Sequence, residues 1–545
     1  MCLFISWQQV SQKMRKNRSE ILLELNRLSS EKKFLEILLL LCNKNLNSRS
    51  DELATRNLNS LLNENEISFL FGLWLKNKHF QANNENDILL TAIKIHTLMD
   101  EFHYTFIEFF PKFDSINSYH SQFKNNSEAI KETIFYSASG AYDYQFMNFL
   151  ELKYGCDDAW LEENKGFNSN DAKKLFLYIK ATLNYKLNLK QYKSEFELYS
   201  FSFDNYVFKK FPRFKVILDH LTFSEYNIDL NFNDIGDFNK FKIQPVIKTK
   251  NAYIIPLSYL LAEAIYDSPF FWMNEDKKYS QKALLNRGNS AEAIVKSILE
   301  KKIYSNKIFS SVLIKKNKAT SITDIDICIL HDKKMLLFQI KSKRLTQLSK
   351  NGNIEKFQKD FKQAVQDANF QSVKSKEAIF SGKCEYILKS TGEKIDFGQI
   401  DEIYTACIVL DSYPSITAHT RLFFLDEETI PVAMSIFDLE VIIEFIRDFD
   451  HFFDYLKKRT LYSKDIMADN ELSYFSHYLK NDLKKVNNSD KLILNNDFAQ
   501  RFDYDYYFPL LKKYESKYEE FIIDIDSDDF CFCGSGINIE DCCNK

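Results

Sequence analysis

Between residues 321 and 341 the hydrophobic pattern changes character twice. Ile322 to Leu330 alternates around Asp324 and Asp326 and then turns continuously apolar. A polar tetrad follows, His331-Asp332-Lys333-Lys334, and Met335 to Lys341 is apolar until it closes on Gln339-Ile340-Lys341. Period-two alternation puts successive side chains on opposite faces of a strand. The pattern therefore predicts two strands joined by a tight turn, with Asp324 and Asp326 on one face, and Gln339 and Lys341 together likewise. If the strands pair antiparallel, an acid, an amide oxygen and an ammonium converge at one end of the hairpin. That is an oxygen site for a hard cation with a cationic neighbour.

The flanking patterns extend the picture. Upstream, Ala291, Ile294, Val295, Ile298 and Leu299 make one apolar stripe at helical spacing, with Glu292 at its edge. Arg287-Gly288-Asn289-Ser290 breaks or starts that helix, with Ser290 as a candidate N-cap. Ile308 to Ile314 reads as a strand, and Lys315, Lys316 and Lys318 form a basic turn. Downstream, a helix is expected from about Ile354 to Val373. Phe357, Phe361, Ala364, Val365, Ala368 and Phe370 point inward, and Lys356, Lys359 and Lys362 outward. Gln363, Gln366 and Gln371 are candidates for backbone or phosphate contacts. Cys384 to Phe397 looks like a hairpin insert around Ser390-Thr391-Gly392, and Ile403 to Leu410 like a buried strand. The order is αβββαβ.

Elsewhere the periodicity is mainly helical. Residues 1–200 read as a helical domain, with Asn170 or Asp171 capping a helix. Residues 201–282 read as a mixed α/β connecting segment with two strands around Lys248 to Ala252. A helix from Leu257 to Tyr266 and a packing knob, Phe270-Phe271-Trp272, follow in it. Residues 283–425 hold the pattern above, 426–520 a helical tail, and 521–545 an acidic linker and a cysteine cluster. The expected fold class is a multidomain α+β protein.

Composition narrows the options. The 545 residues exceed what one core usually organises, and a hydrophobic share of 45% supports globular folding over disorder. A net charge of −4 excludes a generally basic nucleic-acid coat, so any such contact must be local. Of ten cysteines, four stand among the last fifteen residues, which suits a metal site in a reducing compartment rather than a disulfide framework. The apolar start precedes the basic residues, the reverse of a secretory signal. The run Phe34 to Cys42 is nine residues long and includes Glu36, too short to span a bilayer. A cytoplasmic protein without membrane contact is expected.

The spacing of thirteen residues from Asp326 to Gln339, followed by Lys341, resembles the PD-(D/E)xK nuclease superfamily. The nearest likeness is to the Mrr-type variants, which carry Gln in place of the second acid. The resemblance covers about residues 283–412 and implies a restriction-endonuclease-like core. It implies a Mg²⁺- or Mn²⁺-dependent phosphodiester hydrolase acting on nucleic acid, DNA before RNA, in defence against foreign DNA. The cation would be held by Asp326, the Gln339 oxygen and the Ile340 carbonyl, with Glu292 and Asp324 as further or second-ion ligands. Lys341 would position the attacking water, and Lys343, Arg344 and the lysines at 315, 316 and 318 would meet the phosphate backbone. The alternatives are a non-catalytic nucleic-acid-binding protein of the same fold and a protein adaptor. Pairing of two chains stays open.

Cys531, Cys533, Cys542 and Cys543, in a C-x-C-x8-C-C array with Gly534 and Gly536, resemble the SEC-C motif. Four thiolates imply a closed, structural Zn²⁺ and a docking knob for a protein partner. Ile537 to Asp541 stand where that family usually carries lysines.

Overall fold

The computed structural model describes residues 16–46, 61–78, 87–107, 125–136, 140–190, 192–223, 231–304, 307–317, 320–424, 427–428, 430–468, 470–484, 492–494 and 498–513. The chain divides into two compact units. The first comprises Met1–Gln12, Phe110–Ala141 and Leu285–Tyr506, and the second Lys13–Phe109, Tyr142–Leu284 and Tyr507–Lys545. The α+β class holds. The four cysteines of the C-terminal array lie outside the described residues.

In the first unit, a long helix α1 (Ser280–Leu299) leads into strands β1 (Ile308–Lys315), β2 (Ser321–His331) and β3 (Lys334–Lys341). Two helices follow, α2 (Ile354–Phe361) and α3 (Asp367–Ser381), joined by a π-helical turn over Lys362–Gln366. Next come the hairpin β4 (Glu385–Leu388) and β5 (Lys394–Ile395), strand β6 (Glu402–Val409), helix α4 (Ile416–Phe424) and strand β7 (Val432–Ser435). Helices α5 (Ile436–Phe445) and α6 (Phe449–Leu461) follow. Among the described residues these seven strands make one mixed sheet in the order β7-β6-β3-β2-β1-β4-β5.

The connections follow from pairing geometry. β1, β2 and β3 form an antiparallel meander, so tight turns suffice; Asp332 in the β2–β3 turn takes a left-handed φ of 53°. β6 lies parallel to β3 and β7 parallel to β6, and parallel neighbours need a crossover. α2 and α3 lie in the first crossover and α4 forms the second. Helices cover both faces of the sheet. Phe338 stacks on Phe452 of α6 at 6.0 Å on one face, while the π-turn and α3 cover the face that carries Cys407. This two-sided burial explains why Ala406, Cys407, Ile408 and Val409 are all buried and why β6 reads as an apolar run without alternation.

Several local expectations need correction. α1 is continuous through Arg287-Gly288-Asn289-Ser290, and Ser290 is no N-cap; its hydroxyl bonds back to the Asn286 carbonyl. One glycine in a helix costs only about 1 kcal/mol, and the stripe at Ala291, Ile294, Val295, Ile298 and Leu299, buried throughout, outweighs it. The downstream helical segment continues past Val373 to Ser381, and Phe370 is 60% exposed. Two residues beyond Ala368 is about 200° around a helix, so the two cannot share the inward face; Ser372 and Ser375 fill it instead. The segment after residue 425 is not purely helical. Val432–Ser435 joins the main sheet, and Ile466–Ala468 pairs in parallel with Leu492–Leu494.

The helix Ser127–Phe135 also belongs to the first unit. Its Thr133 hydroxyl meets His419 Nε2 of α4 at 2.8 Å, and Ser415 donates to the Thr133 carbonyl at 2.7 Å. His419 is completely buried between Phe357 and Tyr413, and that burial pushes its pKa down to about 3. The folded state thus refuses a proton that the unfolded chain accepts near the ordinary value. Its contribution is fully present above about pH 6.5 and is lost as pH falls toward 3. Relative to His419→Gln, the wild type is expected to lose about 1.4 kcal/mol of stability per pH unit between roughly pH 6 and 4. Urea midpoints of both proteins across that range test it; parallel curves would refute it.

The second unit is mostly helical. Three of its helices start at capping boxes built from Asn17 with Glu20, Asn63 with Glu66, and Asn168 with Asp171, so Asn168 is the cap in place of Asn170 or Asp171. A three-stranded antiparallel sheet includes Ile247–Lys248 and Ala252–Ile254, whereas Ile243 lies in a short helix. The helix expected to end at Tyr266 runs from Ser258 to Glu275 through Pro269. Proline cannot donate the helical hydrogen bond that would close on Ile265, and the next carbonyl along, that of Tyr266, accepts from Lys153 Nζ and the Tyr154 hydroxyl. Trp272 packs on His220 and Phe167. Among all described residues no helix is long and apolar enough to cross a membrane.

Candidate functional site

The end of the β2–β3 hairpin opposite its turn carries the candidate chemistry. The register runs from His331 with Lys334 to Ile327 with Phe338, which brings Asp326 beside Gln339. The Asp326 carboxylate accepts the Ile340 amide at 2.6 Å, and the Gln339 side-chain amide donates to the Asp324 carbonyl at 2.8 Å. Gln339 is 1% exposed, and its Oε1 has no hydrogen-bond partner. An orphaned acceptor in the interior costs about 1–3 kcal/mol unless something satisfies it. A donor or a positive centre beside it would satisfy it.

Asp326 is electrostatically stressed. Burial is the largest cause, the Ile340 amide and the Lys341 charge oppose it, and the charges of Glu292 and Asp324 add to it; the result is pushed up to about 6. Lys341, two residues past Gln339 on the same face, donates its ammonium to Gln371 Oε1 on α3. Gln371 thus has a defined partner, and α3 fixes where the ammonium sits.

Glu292 of α1 reaches the same neighbourhood and accepts the Ser311 hydroxyl. Ser311 interrupts β1: its φ is 52°, and it stands where a partner for Asp326 would be, between the pairs Ser310 with Ile327 and Val312 with Ile325. A non-glycine residue in that region costs on the order of 1–2 kcal/mol and is held by its surroundings. Here the conformation presents a hydroxyl to Glu292. The Asp324 carboxylate is engaged by Lys389, which follows β4. The Lys389 amide in turn donates to the Ser311 carbonyl at 3.0 Å. Ser311 and Lys389 were not read as site residues from sequence. A serine in a strand carries no signal of its backbone conformation, and a lysine beside a hairpin turn looks like any solvated lysine.

Two of the expected phosphate contacts, Lys343 and Arg344, have partners within the protein. Lys343 pairs with the buried Asp360 at 2.8 Å. Burial pushes Asp360 up, but Lys343, Ser349 and Thr346 outweigh it and hold it below the ordinary carboxylate range. Arg344 lies 3.8 Å from the buried Asp411, which also binds Arg287 of α1. Lys315 is half-buried and Lys316 exposed, while Lys318 lies outside the described residues.

The donor set suits one hard cation better than several. Among the described residues no three His, Cys, Asp or Glu side chains form a metal-holding group. Glu292 and Asp324 have their own partners in Ser311 and Lys389. What converges is oxygen chemistry at Asp326 and the orphaned Gln339 Oε1, with the Lys341 ammonium alongside. A search of protein-family models, of curated proteins and of solved structures found no match for this chain.

Proposed function

We propose that the first unit is a metal-dependent nuclease with a restriction-endonuclease-like core running from α1 through β6. The observation that carries this reading is the buried, unsatisfied Gln339 Oε1 beside Asp326, with Lys341 on the same face. The element order helix, three antiparallel strands, helices and a parallel strand supports it, with the β4–β5 hairpin as an insertion at the far edge.

In this reading Asp326 and Gln339 supply the oxygens for Mg²⁺ or Mn²⁺. When bound, such a cation neutralises phosphate charge and makes a water more acidic. Lys341, held by Gln371, orients the attacking water or donates to the phosphate as negative charge builds on it. Glu292, held by Ser311, accepts a hydrogen bond from water on the same side. Because one acid is replaced by Gln339, the site carries one negative charge fewer, and a millimolar rather than micromolar demand for metal is expected. The substrate class is nucleic acid, with DNA favoured by the resemblance alone. Cys531, Cys533, Cys542 and Cys543 are proposed to hold a structural Zn²⁺ that serves docking.

The test is cleavage of supercoiled plasmid with Mg²⁺ or Mn²⁺ by the wild type and by Lys341→Ala. Nicking by the wild type and a loss of about 10²-fold or more in the variant are expected. Equal nicking by both would sink the assignment of Lys341. No cutting of duplex DNA, single strands or RNA by the wild type would favour the non-catalytic binding protein.

A further inference from the structure

The β4–β5 hairpin inserts a cation into this site. Lys389, the residue after β4, places its ammonium on the Asp324 carboxylate, and its own amide is tied to Ser311 at 3.0 Å. Ser311 holds Glu292 through its hydroxyl. One hairpin residue is therefore linked to both acids that flank Asp326. The backbone anchor matters. A lysine held at its amide by the sheet delivers its charge to a fixed place, unlike a lysine on a free loop.

The acids of the site are divided accordingly. Asp326 faces Gln339 and the Ile340 amide, whereas Asp324, two residues away on the same strand face, is neutralised by Lys389. A second divalent ion would need Asp324, and its carboxylate is already taken by a positive charge. The orphaned Gln339 Oε1, 1% exposed, is a separate observation that favours one ion position beside Asp326.

We propose that Lys389 is the site's second cation: it takes the place of a second metal ion, and the nuclease works with one divalent ion and one lysine. This rests on the nuclease reading and names a residue that reading did not include. Lys389 neutralises Asp324, so that carboxylate has no charge left over for a second divalent ion. The hairpin is then a functional insertion rather than a decoration of the sheet edge.

The experiment counts Mn²⁺ ions by electron paramagnetic resonance titration of the full chain, loaded with zinc beforehand. The proteins are the wild type, Lys389→Met, Lys389→Arg and Asp326→Ala. Lys389 is 45% exposed at its side chain, so its replacement leaves the core intact. The expected result is one Mn²⁺ for the wild type and Lys389→Arg, none at this site for Asp326→Ala, and two for Lys389→Met, in which Asp324 is released. Plasmid nicking by Lys389→Met should then rise with a steeper dependence on Mn²⁺ concentration than in the wild type. Two ions in the wild type, both lost in Asp326→Ala, would overturn the proposal while leaving the nuclease reading intact. One ion in Lys389→Met with unchanged affinity would also overturn it. No Mn²⁺ in the wild type would bring down the metal-dependent reading, and this inference with it.

Discussion

Asp326→Asn is expected to abolish cleavage and, in the same molecule, to stabilise the fold. Both effects come from one half-buried carboxylate. On the proposed nuclease reading the anionic oxygen is the main charge that would hold the cation, and losing several kcal/mol of transition-state stabilisation corresponds to about 10³-fold or more in rate. Stability moves the other way. The folded pKa of Asp326 is raised to about 6, chiefly by burial. A group raised in this way favours the folded state most at low pH, and the benefit is lost as pH climbs through the unfolded and then the folded value. At pH 7 the ionised side chain therefore costs the fold about 2–3 kcal/mol. Asparagine keeps an oxygen for the Ile340 amide and carries no charge. Urea midpoints measured with EDTA should show Asp326→Asn more stable by about 2 kcal/mol at pH 7, with the gain shrinking toward pH 4. A variant less stable than the wild type at pH 7 would mean that Lys341 attraction outweighs burial, and the site would have to be redrawn. Sites shaped by function commonly carry such a stability cost.

The second large effect is structural. Arg287→Ala is expected to destabilise the first unit by about 3–5 kcal/mol. Arg287 of α1 is 5% exposed, donates to Asp411 just past β6, and reaches the Ser342 carbonyl at 3.2 Å just past β3. Removing it takes a buried guanidinium from a carboxylate that is 1% exposed. Arg344, at 3.8 Å, is too far to replace a direct hydrogen bond without movement. Thermal unfolding should shift by on the order of 10 °C. The double replacement Arg287→Met with Asp411→Leu should recover most of the loss, because both charges of the buried pair leave together and Arg344, partly exposed, can turn to solvent. A single replacement within 1 kcal/mol of the wild type would show that Arg344 swings in to compensate. Function should suffer as well in Arg287→Ala. The arginine links the helix that carries Glu292 to the end of the strand that carries Lys341, so a shift of α1 changes their spacing.

The hairpin at the centre of the first unit was legible because strands announce themselves by period. Asp324 and Asp326 interrupt an apolar alternation, and Gln339 and Lys341 close another. The stripe of α1 was equally plain, and so was the β4–β5 insert, whose turn residues stand between two short runs. Where expectation failed, a local rule met a stronger neighbour. Gly288 suggested a break, but the buried stripe behind it keeps α1 whole. Val432–Ser435 is too short to announce itself among helices, yet every one of its residues is buried as a parallel edge of the main sheet.

Sequence alone determined the alternating strands, their shared face and the residue types that face carries, because each depends only on near neighbours along the chain. Tertiary structure alone decided the partners. Ser311 opposite Asp326, Lys389 on Asp324, Gln371 on Lys341 and Asp360 on Lys343 join residues 15 to 65 positions apart. Strand order and helix placement set those meetings, and a one-dimensional pattern does not encode them. A charge written in the sequence becomes a ligand, a counter-ion or a cap only when the fold fixes what stands within about 3 Å of it.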